Sequence, residues 1–357
     1  MKAIGIFRGF PGLGRVVAGL DIFNELQKLT DLEAAVYTYM QGSELDLSYN
    51  FQFKTVKSIK DISSIGIIPV SKSGEAIIND IEKFNPDFVL IDGEPLLLTT
   101  IKLRFTKLKV VALLNPFDIE NPSNQLSSQL FFRDCYSKAD ISIVHGLWKV
   151  KKPQTFQNSF YSINTFIRKE VKEITPDRNS NKIACVLGGG TVNSGERFFE
   201  NTILISQLVV GLASIQPQLL FEIYCGCETV FSRVNNLVNG NKNVKLHQHI
   251  HKPSEIYNSA KAVISRAGRN TISELLSINL PAILISTGCE VRGTEQEANI
   301  SFAEKYSPNI IGLNISTDLP NFESQFLKLV SKNNEPAQWT SGNIELLEIL
   351  KSELPCM

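Results

Sequence analysis

Ser265-Arg266-Ala267-Gly268-Arg269-Asn270-Thr271-Ile272-Ser273-Glu274-Leu275-Leu276 is the stretch whose reading decides the fold. It follows an apolar run, Ala262–Ser265, and leads through Asn279-Leu280-Pro281 into another, Ala282–Ile285. Strand, tight turn, helix and strand in that order is the repeating unit of a parallel sheet. Gly268 permits the close turn. A helix beginning near Asn270 or Thr271 places the Glu274 carboxylate about one turn into it. Such a carboxylate can accept two hydrogen bonds from a ribose diol, while the helix start at Arg269, Asn270 and Thr271 faces phosphate. The plainer reading makes Glu274 an ordinary first-turn helix acid.

Outward from this segment the same alternation recurs. Apolar runs at Ala3–Phe7, Ala34–Tyr39, Phe88–Ile91, Val110–Leu114 and Ile141–Val144 precede a second series at Ile183–Leu187, Leu219–Tyr224, Val244–His247 and Ile310–Leu313. They read as buried parallel strands. Helical patterns such as Val16–Leu29, Gly74–Phe84, Glu200–Ser214, Ser254–Ala260 and Thr271–Ser277 separate many of them. The fold class is α/β, two doubly wound Rossmann-like domains. Periodicity fades between Trp148 and Lys182, which reads as the linker. The expected domains are 1–160, 161–335, and a terminal helix over 336–357 packing back on the first.

Two glycine loops lie at strand ends, where open α/β sheets bind ligands. In Cys185-Val186-Leu187-Gly188-Gly189-Gly190-Thr191, consecutive glycines let backbone N–H groups face phosphate oxygens. In Phe7-Arg8-Gly9-Phe10-Pro11-Gly12-Leu13-Gly14-Arg15, Gly12 and Gly14 let the backbone approach a ligand at a helix start, although the spacing departs from G-x-G-x-x-G. Arg292-Gly293-Thr294-Glu295-Gln296 opens a further helix with groups able to grip sugar hydroxyls. Asp92 and Glu94 in Ile91-Asp92-Gly93-Glu94-Pro95, and Asp118 in Asn115-Pro116-Phe117-Asp118, follow apolar strands and are candidate general bases. Asp92 serves equally well as a brace for its turn.

Composition narrows the classes. The 357 residues carry 36 Lys plus Arg against 36 Asp plus Glu, so no global field holds nucleic acid. The six cysteines include no C-x-x-C pair and read as reduced thiols of a cytoplasmic protein. No signal-peptide pattern opens the chain, and no later apolar run reads as long enough to cross a bilayer. His247, His249 and His251 alternate, but no Cys or carboxylate stands at ligand spacing, so no metal is expected. Ile101–Lys109 alternates basic and apolar residues, which suits either peripheral contact with anionic lipid or a solvated helix end.

Taken together, these motifs resemble the GT-B nucleotide-sugar glycosyltransferases of the family that includes the enzyme adding N-acetylglucosamine to lipid I. The resemblance is strong over about Ile183–Ala303. It implies two Rossmann-like domains facing a cleft, with an acceptor domain followed by a nucleotide-sugar domain. It further implies that Gly188–Gly190 faces the donor diphosphate, Glu274 binds the ribose of UDP, and the backbone at Ile250 reads the uracil edge. Arg266 and Gly268 match the family's arginine-x-glycine. Its paired amides for the donor sugar fall on Glu295 and Gln296, the first a carboxylate here. The family's histidine after the first glycine loop is Arg15, which cannot act as a base but can stabilise phosphate charge. The resemblance implies a metal-independent, inverting transfer from a UDP-sugar to a small-molecule or lipid-linked acceptor, with no cofactor. Arg15 and Glu295 leave two alternatives open: a nucleotide-sugar hydrolase or epimerase of the same fold, and a non-catalytic nucleotide-sugar-binding homologue.

Overall fold

The computed structural model describes residues 1–9, 12–38, 42, 72–188, 196–238, 240–248, 252–289, 293–332 and 335–354. The chain divides into two units, Met1–Phe166 with Gly342–Met357, and Ile167–Ser341. The first holds β1 (Lys2–Phe7), β2 (Glu33–Tyr37), β3 (Phe88–Asp92), β4 (Lys109–Leu114), β5 (Ile141–Gly146) and β6 (Ser159–Asn164) in the order β2-β1-β3-β4-β5-β6. The second holds β7 (Lys182–Val186), β8 (Leu220–Tyr224), β9 (Val244–His247), β10 (Ala260–Arg266), β11 (Ala282–Ser286) and β12 (Ile310–Asn314) in the order β12-β11-β10-β7-β8-β9. The described strand pairs are all parallel. The chain is thus twice doubly wound.

The apolar character of the strands follows from cover on both faces. In the first unit, one face of the sheet packs Ala3, Phe88, Leu90, Val111 and Ile141 with the helix Gly14–Leu29. The other packs Ile4, Val89, Ile91, Val110 and Ala112 against Leu97, Leu98 and Ile101 of the helix Pro95–Arg104. Each sheet reverses its winding once, between β1 and β3 in the first unit and between β7 and β10 in the second. In open α/β sheets the crevice beyond the carboxyl ends at such a reversal is where ligands bind.

Three elements differ from the sequence reading or extend it. Within 148–182 the chain makes β6, paired with β5 from Ile141↔Ser159 to Gly146↔Asn164. As an edge strand with mostly half-buried residues, Ser-Phe-Tyr-Ser-Ile-Asn lacks the continuous apolar run that marks its neighbours. The helix Asn343–Glu353 seats Leu346 and Leu350 in the first unit's core, and Tyr161 donates to Glu353 (2.6 Å). The helix Glu196–Ile215, expected to be too short, is long and apolar enough by length and composition to cross a bilayer. Its Ile203, Ile205, Val209, Leu212 and Ala213 are instead buried in the second unit's core, which explains their apolarity.

The alternation over Ile101–Lys109 resolves into a helix end and local ion pairs. Lys102 pairs with Asp140 (2.9 Å) and Arg104 with Glu82 (2.9 Å), while Leu103 is 78% exposed.

Candidate functional site

In the second unit the reversal between β7 and β10 gathers Gly188, Arg266, Gly268 and the helix Arg269–Ser277. Gly268 is the helix N-cap, offers no side chain to its N–H groups, and a Cβ there would meet nothing within 4 Å. No acidic residue stands in the first turn, which holds Arg269, Asn270 and Thr271, so no side-chain carboxylate of that turn offsets the positive end of the helix dipole. Gly188 has φ +74 and lies where a Cβ would strike the Arg266 guanidinium. Arg266 donates to Thr202 Oγ1 (3.2 Å) and stands 4.6 Å from the Phe198 ring centroid. Gly189, Gly190, Thr191 and Ile250 lie outside the described residues, as do His249 and His251.

Glu274 is buried, and both its oxygens are engaged. Oε1 accepts from Arg168 Nε (2.9 Å) and Nη2 (2.5 Å), and Oε2 accepts from the Tyr257 hydroxyl (3.3 Å). Burial and the Glu274 charge push the Tyr257 hydroxyl well above an ordinary tyrosine, so it remains a donor. Neither Arg168 nor Tyr257 stood out in the sequence. Arg168 follows the unrecognised edge strand, so the rule of inspecting strand ends never reached it.

Gln296 is buried, and its Oε1 accepts from Thr287 N (2.8 Å) and Oγ1 (2.7 Å). In this structure the side-chain oxygen therefore braces the end of β11. Its neighbour Glu295 is half-buried. Asn299, on the same helix, donates to Ala267 O (3.0 Å) and ties that helix to the Arg266–Gly268 turn. His247 meets a carboxylate that spacing did not reveal, Glu222 of the neighbouring strand (3.0 Å), and stacks on Tyr224 with ring centroids 4.4 Å apart.

In the first unit the reversal between β1 and β3 carries a compact charged cluster. Arg15, in the first turn of the helix Gly14–Leu29, pairs with Asp92, the last residue of β3, and donates to both oxygens of Asp118 (2.8 and 3.0 Å). Arg8 donates to Gly93 O and reaches Glu94 Oε1 (3.4 Å). Burial works to lower the Arg15 pKa, but Asp118 and Asp92 more than reverse this and hold it well above an ordinary arginine. Burial works to raise Asp118, and Arg15, with the Asn115 N–H, outweighs it and holds the carboxyl below the usual range. Asp118 also closes a capping box with Asn115 on the helix Pro116–Ile119. An ion-paired, capped carboxylate is a weak proton acceptor. Asp92 and Glu94 are each 1% exposed, and Asp118 shows 17% of its side chain. Among the described residues, nothing stands within 4 Å of where a Cβ on Gly12 would lie. Gly14 is the first residue of its helix.

Gly93 makes the cluster sterically feasible. Its φ is +92, and a Cβ would lie 2.8 Å from Arg8 Cβ and 3.0 Å from Arg15 Cδ. Gly93→Ala is expected to destabilise the protein by about 2–3 kcal/mol, because strain and a clash act together. Urea unfolding of the variant checks this, and an unchanged midpoint would remove the steric argument.

Two units, each a parallel six-stranded sheet with alternating helices that reverses its winding once, are the GT-B fold. The chain belongs to glycosyltransferase family 28, matching the Glycosyltransferase family 28 C-terminal domain over residues 162–351, and is a nucleotide-sugar glycosyltransferase. A protein of Thermosipho melanesiensis, UDP-N-acetylglucosamine--N-acetylmuramyl-(pentapeptide) pyrophosphoryl-undecaprenol N-acetylglucosamine transferase, is 21% identical over 80% of this chain and 79% of its own length. Among solved structures, Acinetobacter baumannii MurG superposes with a TM-score of 0.60 at 15% identity, covering 99% of this chain and 100% of that one. UDP-GlcNAc 2-epimerase from Neisseria meningitidis, bound to UDP-GlcNAc, superposes with 0.64 at 16% identity, covering 98% and 100%. At these identities the structural likenesses speak for the fold.

Proposed function

We propose that the second unit binds the nucleoside diphosphate of a UDP-sugar and that the first unit's charged cluster serves the acceptor, in a metal-independent, inverting transfer without a cofactor. The observation carrying this reading is the buried Glu274 carboxylate, held by Arg168 and Tyr257, the sixth residue of a helix that starts at the sheet reversal without a side-chain cap. A carboxylate has about four lone-pair sites; Arg168 takes two on Oε1 and Tyr257 one on Oε2, which leaves one on Oε2 for a ribose hydroxyl. In this reading Arg266 and the helix start stabilise the charge that develops on the departing diphosphate.

In the transfer an acceptor hydroxyl oxygen attacks the anomeric carbon, and the bond from that carbon to the diphosphate oxygen breaks. The electron pair leaves with UDP, and the hydroxyl proton passes to a carboxylate. Of the three candidates Asp118 alone reaches solvent; paired with Arg15 it is a weak base, so it takes the proton late, once bonding to the anomeric carbon has made the hydroxyl strongly acidic, and Arg15 fixes its direction. Asp92 anchors the other side of that guanidinium, while Glu94 is held by Arg8. Thus Arg15, in place of the family's histidine, orients the base. By analogy with the Thermosipho protein, UDP-N-acetylglucosamine and a lipid-linked sugar are the first donor and acceptor to try, in a cytoplasmic setting. Glu295 in place of an amide makes other donor sugars the next choice.

Calorimetric titration with UDP, TDP and GDP tests the donor site, and micromolar binding selective for UDP is the expected result. Incubating the protein with UDP-N-acetylglucosamine alone then separates the alternatives. Free sugar or the 2-epimer appearing without acceptor would favour hydrolysis or epimerisation, and absence of all nucleotide binding would overturn the reading.

A further inference from the structure

Lys182 and Glu222 are charged residues each 8% exposed, on strands of the second sheet. Burying such a pair stabilises a protein less than apolar residues of the same volume would, so its presence asks for another explanation. Glu222 Oε2 accepts from the Tyr224 hydroxyl (2.6 Å), lies 3.1 Å from Lys182 Nζ, and is 3.0 Å from His247 Nε2. Lys245 stands 3.8 Å from Oε1. Burial works against the charge on Glu222, but the Tyr224 and Lys182 hydrogen bonds and the two lysines pull it down to about 2, so the carboxylate is ionised and His247 donates to it through Nε2.

The pair holds something besides itself. Lys182 Nζ also donates to Glu255 O (3.3 Å), in the middle of the short helix Pro253–Tyr257, and to Ser259 Oγ (3.0 Å), just beyond its end. A helix of this length has no stability of its own in water and keeps its place only through outside contacts. Further contacts come from Glu170, which accepts from the Ser254 hydroxyl, and from Asp177, whose N–H donates to Asn258 O (2.8 Å). The helix ends on Tyr257, whose hydroxyl holds Glu274. A series of hydrogen bonds joined by the backbone of this turn therefore runs from Glu222 through Lys182 to the carboxylate assigned to the ribose.

We infer that Lys182 and Glu222 are positioning residues for the nucleotide site, acting through the 253–259 turn and Tyr257 on Glu274. This rests on the donor-site reading above. Lys182 sets where the turn lies, the turn sets the Tyr257 hydroxyl, and that hydroxyl fixes which face of the Glu274 carboxylate is presented. Neither residue touches the nucleotide.

The test is UDP titration of the wild type, Lys182→Met, Lys182→Met with Glu222→Gln, and Tyr257→Phe, each repeated with Glu274→Gln. Lys182→Met is expected to raise the UDP Kd about tenfold, the effect of misplacing one hydrogen bond to a charged group. With Glu274→Gln already present, the same substitution is expected to change Kd little, because the two act on one interaction. A merely structural role predicts a lower unfolding midpoint with the UDP Kd unchanged, or effects that add; either result overturns the inference. Should Lys182→Met alone fail to fold, the paired variant removes both charges together, and Tyr257→Phe removes only the last contact. Wild-type protein that binds no UDP overturns the donor reading itself, whereas wild-type binding with unaltered variants overturns only this inference.

Discussion

Replacing Glu274 by alanine is expected to weaken UDP binding by about 1–3 kcal/mol, a Kd roughly five- to 150-fold higher. Two losses combine. The ribose loses a charged acceptor, and Arg168, whose side chain is 24% exposed, loses the carboxylate that both its Nε and Nη2 address. Partial exposure lets Arg168 rehydrate, so the accompanying loss of stability is smaller, about 1 kcal/mol. The two effects are separable by measuring Kd by calorimetry and stability by urea unfolding on the same variant. A reduced midpoint with UDP affinity intact would show that Glu274 serves only as the partner of Arg168, and the ribose assignment would fall. Glu274→Gln retains shape and one acceptor oxygen, and its Kd is expected between those of the wild type and the alanine variant.

The stretch Ser265–Leu276 was legible because its physics is local. A strand end, a glycine and a helix start follow each other in the chain, and β10 with the helix Arg269–Ser277 forms there. The twofold α/β architecture followed from runs that are apolar because both faces of a parallel sheet are covered. Where that condition lapses, the signal lapses. The edge strand Ser159–Asn164 is half-polar, so it passed as linker, and Arg168 beyond it passed unnoticed. The length of the helix Glu196–Ile215 was underestimated because its polar start, Glu196 and Arg197, masked a pattern that continues from Phe198.

What local reading does not supply is which side chains meet across the chain. Asp92, Asp118 and Arg15 were each picked out as separate strand-end or helix-start residues, and only the sheet order brings them onto one another. That contact changes their chemistry. Arginine in place of histidine read as a lost base or a gained phosphate ligand; in the structure it is the centre of a carboxylate–guanidinium–carboxylate arrangement. Likewise, Glu222 and His247 are 25 residues apart and became partners only through the register Tyr224↔His247.

Arg15→Ala is therefore expected to destabilise the first unit by about 3–4 kcal/mol at neutral pH and to reverse the sign of its pH dependence near the acid range. Removing the guanidinium leaves Asp92, 1% exposed, and Asp118 facing each other without the cation between them, and an uncompensated buried charge costs about 3–5 kcal/mol. Exposure of Asp118 and the nearby charge of Arg8 reduce this somewhat. In the wild type the folded-state pKa of Asp118 is depressed, so its contribution is fully present above the unfolded value of about 3.9 and is lost as pH falls through the folded value. In the variant, burial and the neighbouring carboxylate act unopposed by Arg15 and raise the folded pKa above the unfolded one. The folded state then holds more protons than the unfolded state, so stability falls as pH rises through that raised value. Urea midpoints at pH 4.5 and 7.5 separate the cases: Arg15→Ala should be more stable at the lower pH relative to wild type measured in parallel. A deficit of equal size at both pH values would mean that Arg15 contributes packing alone, and the assignment of Asp118 as an oriented, ionised base would lose its physical support.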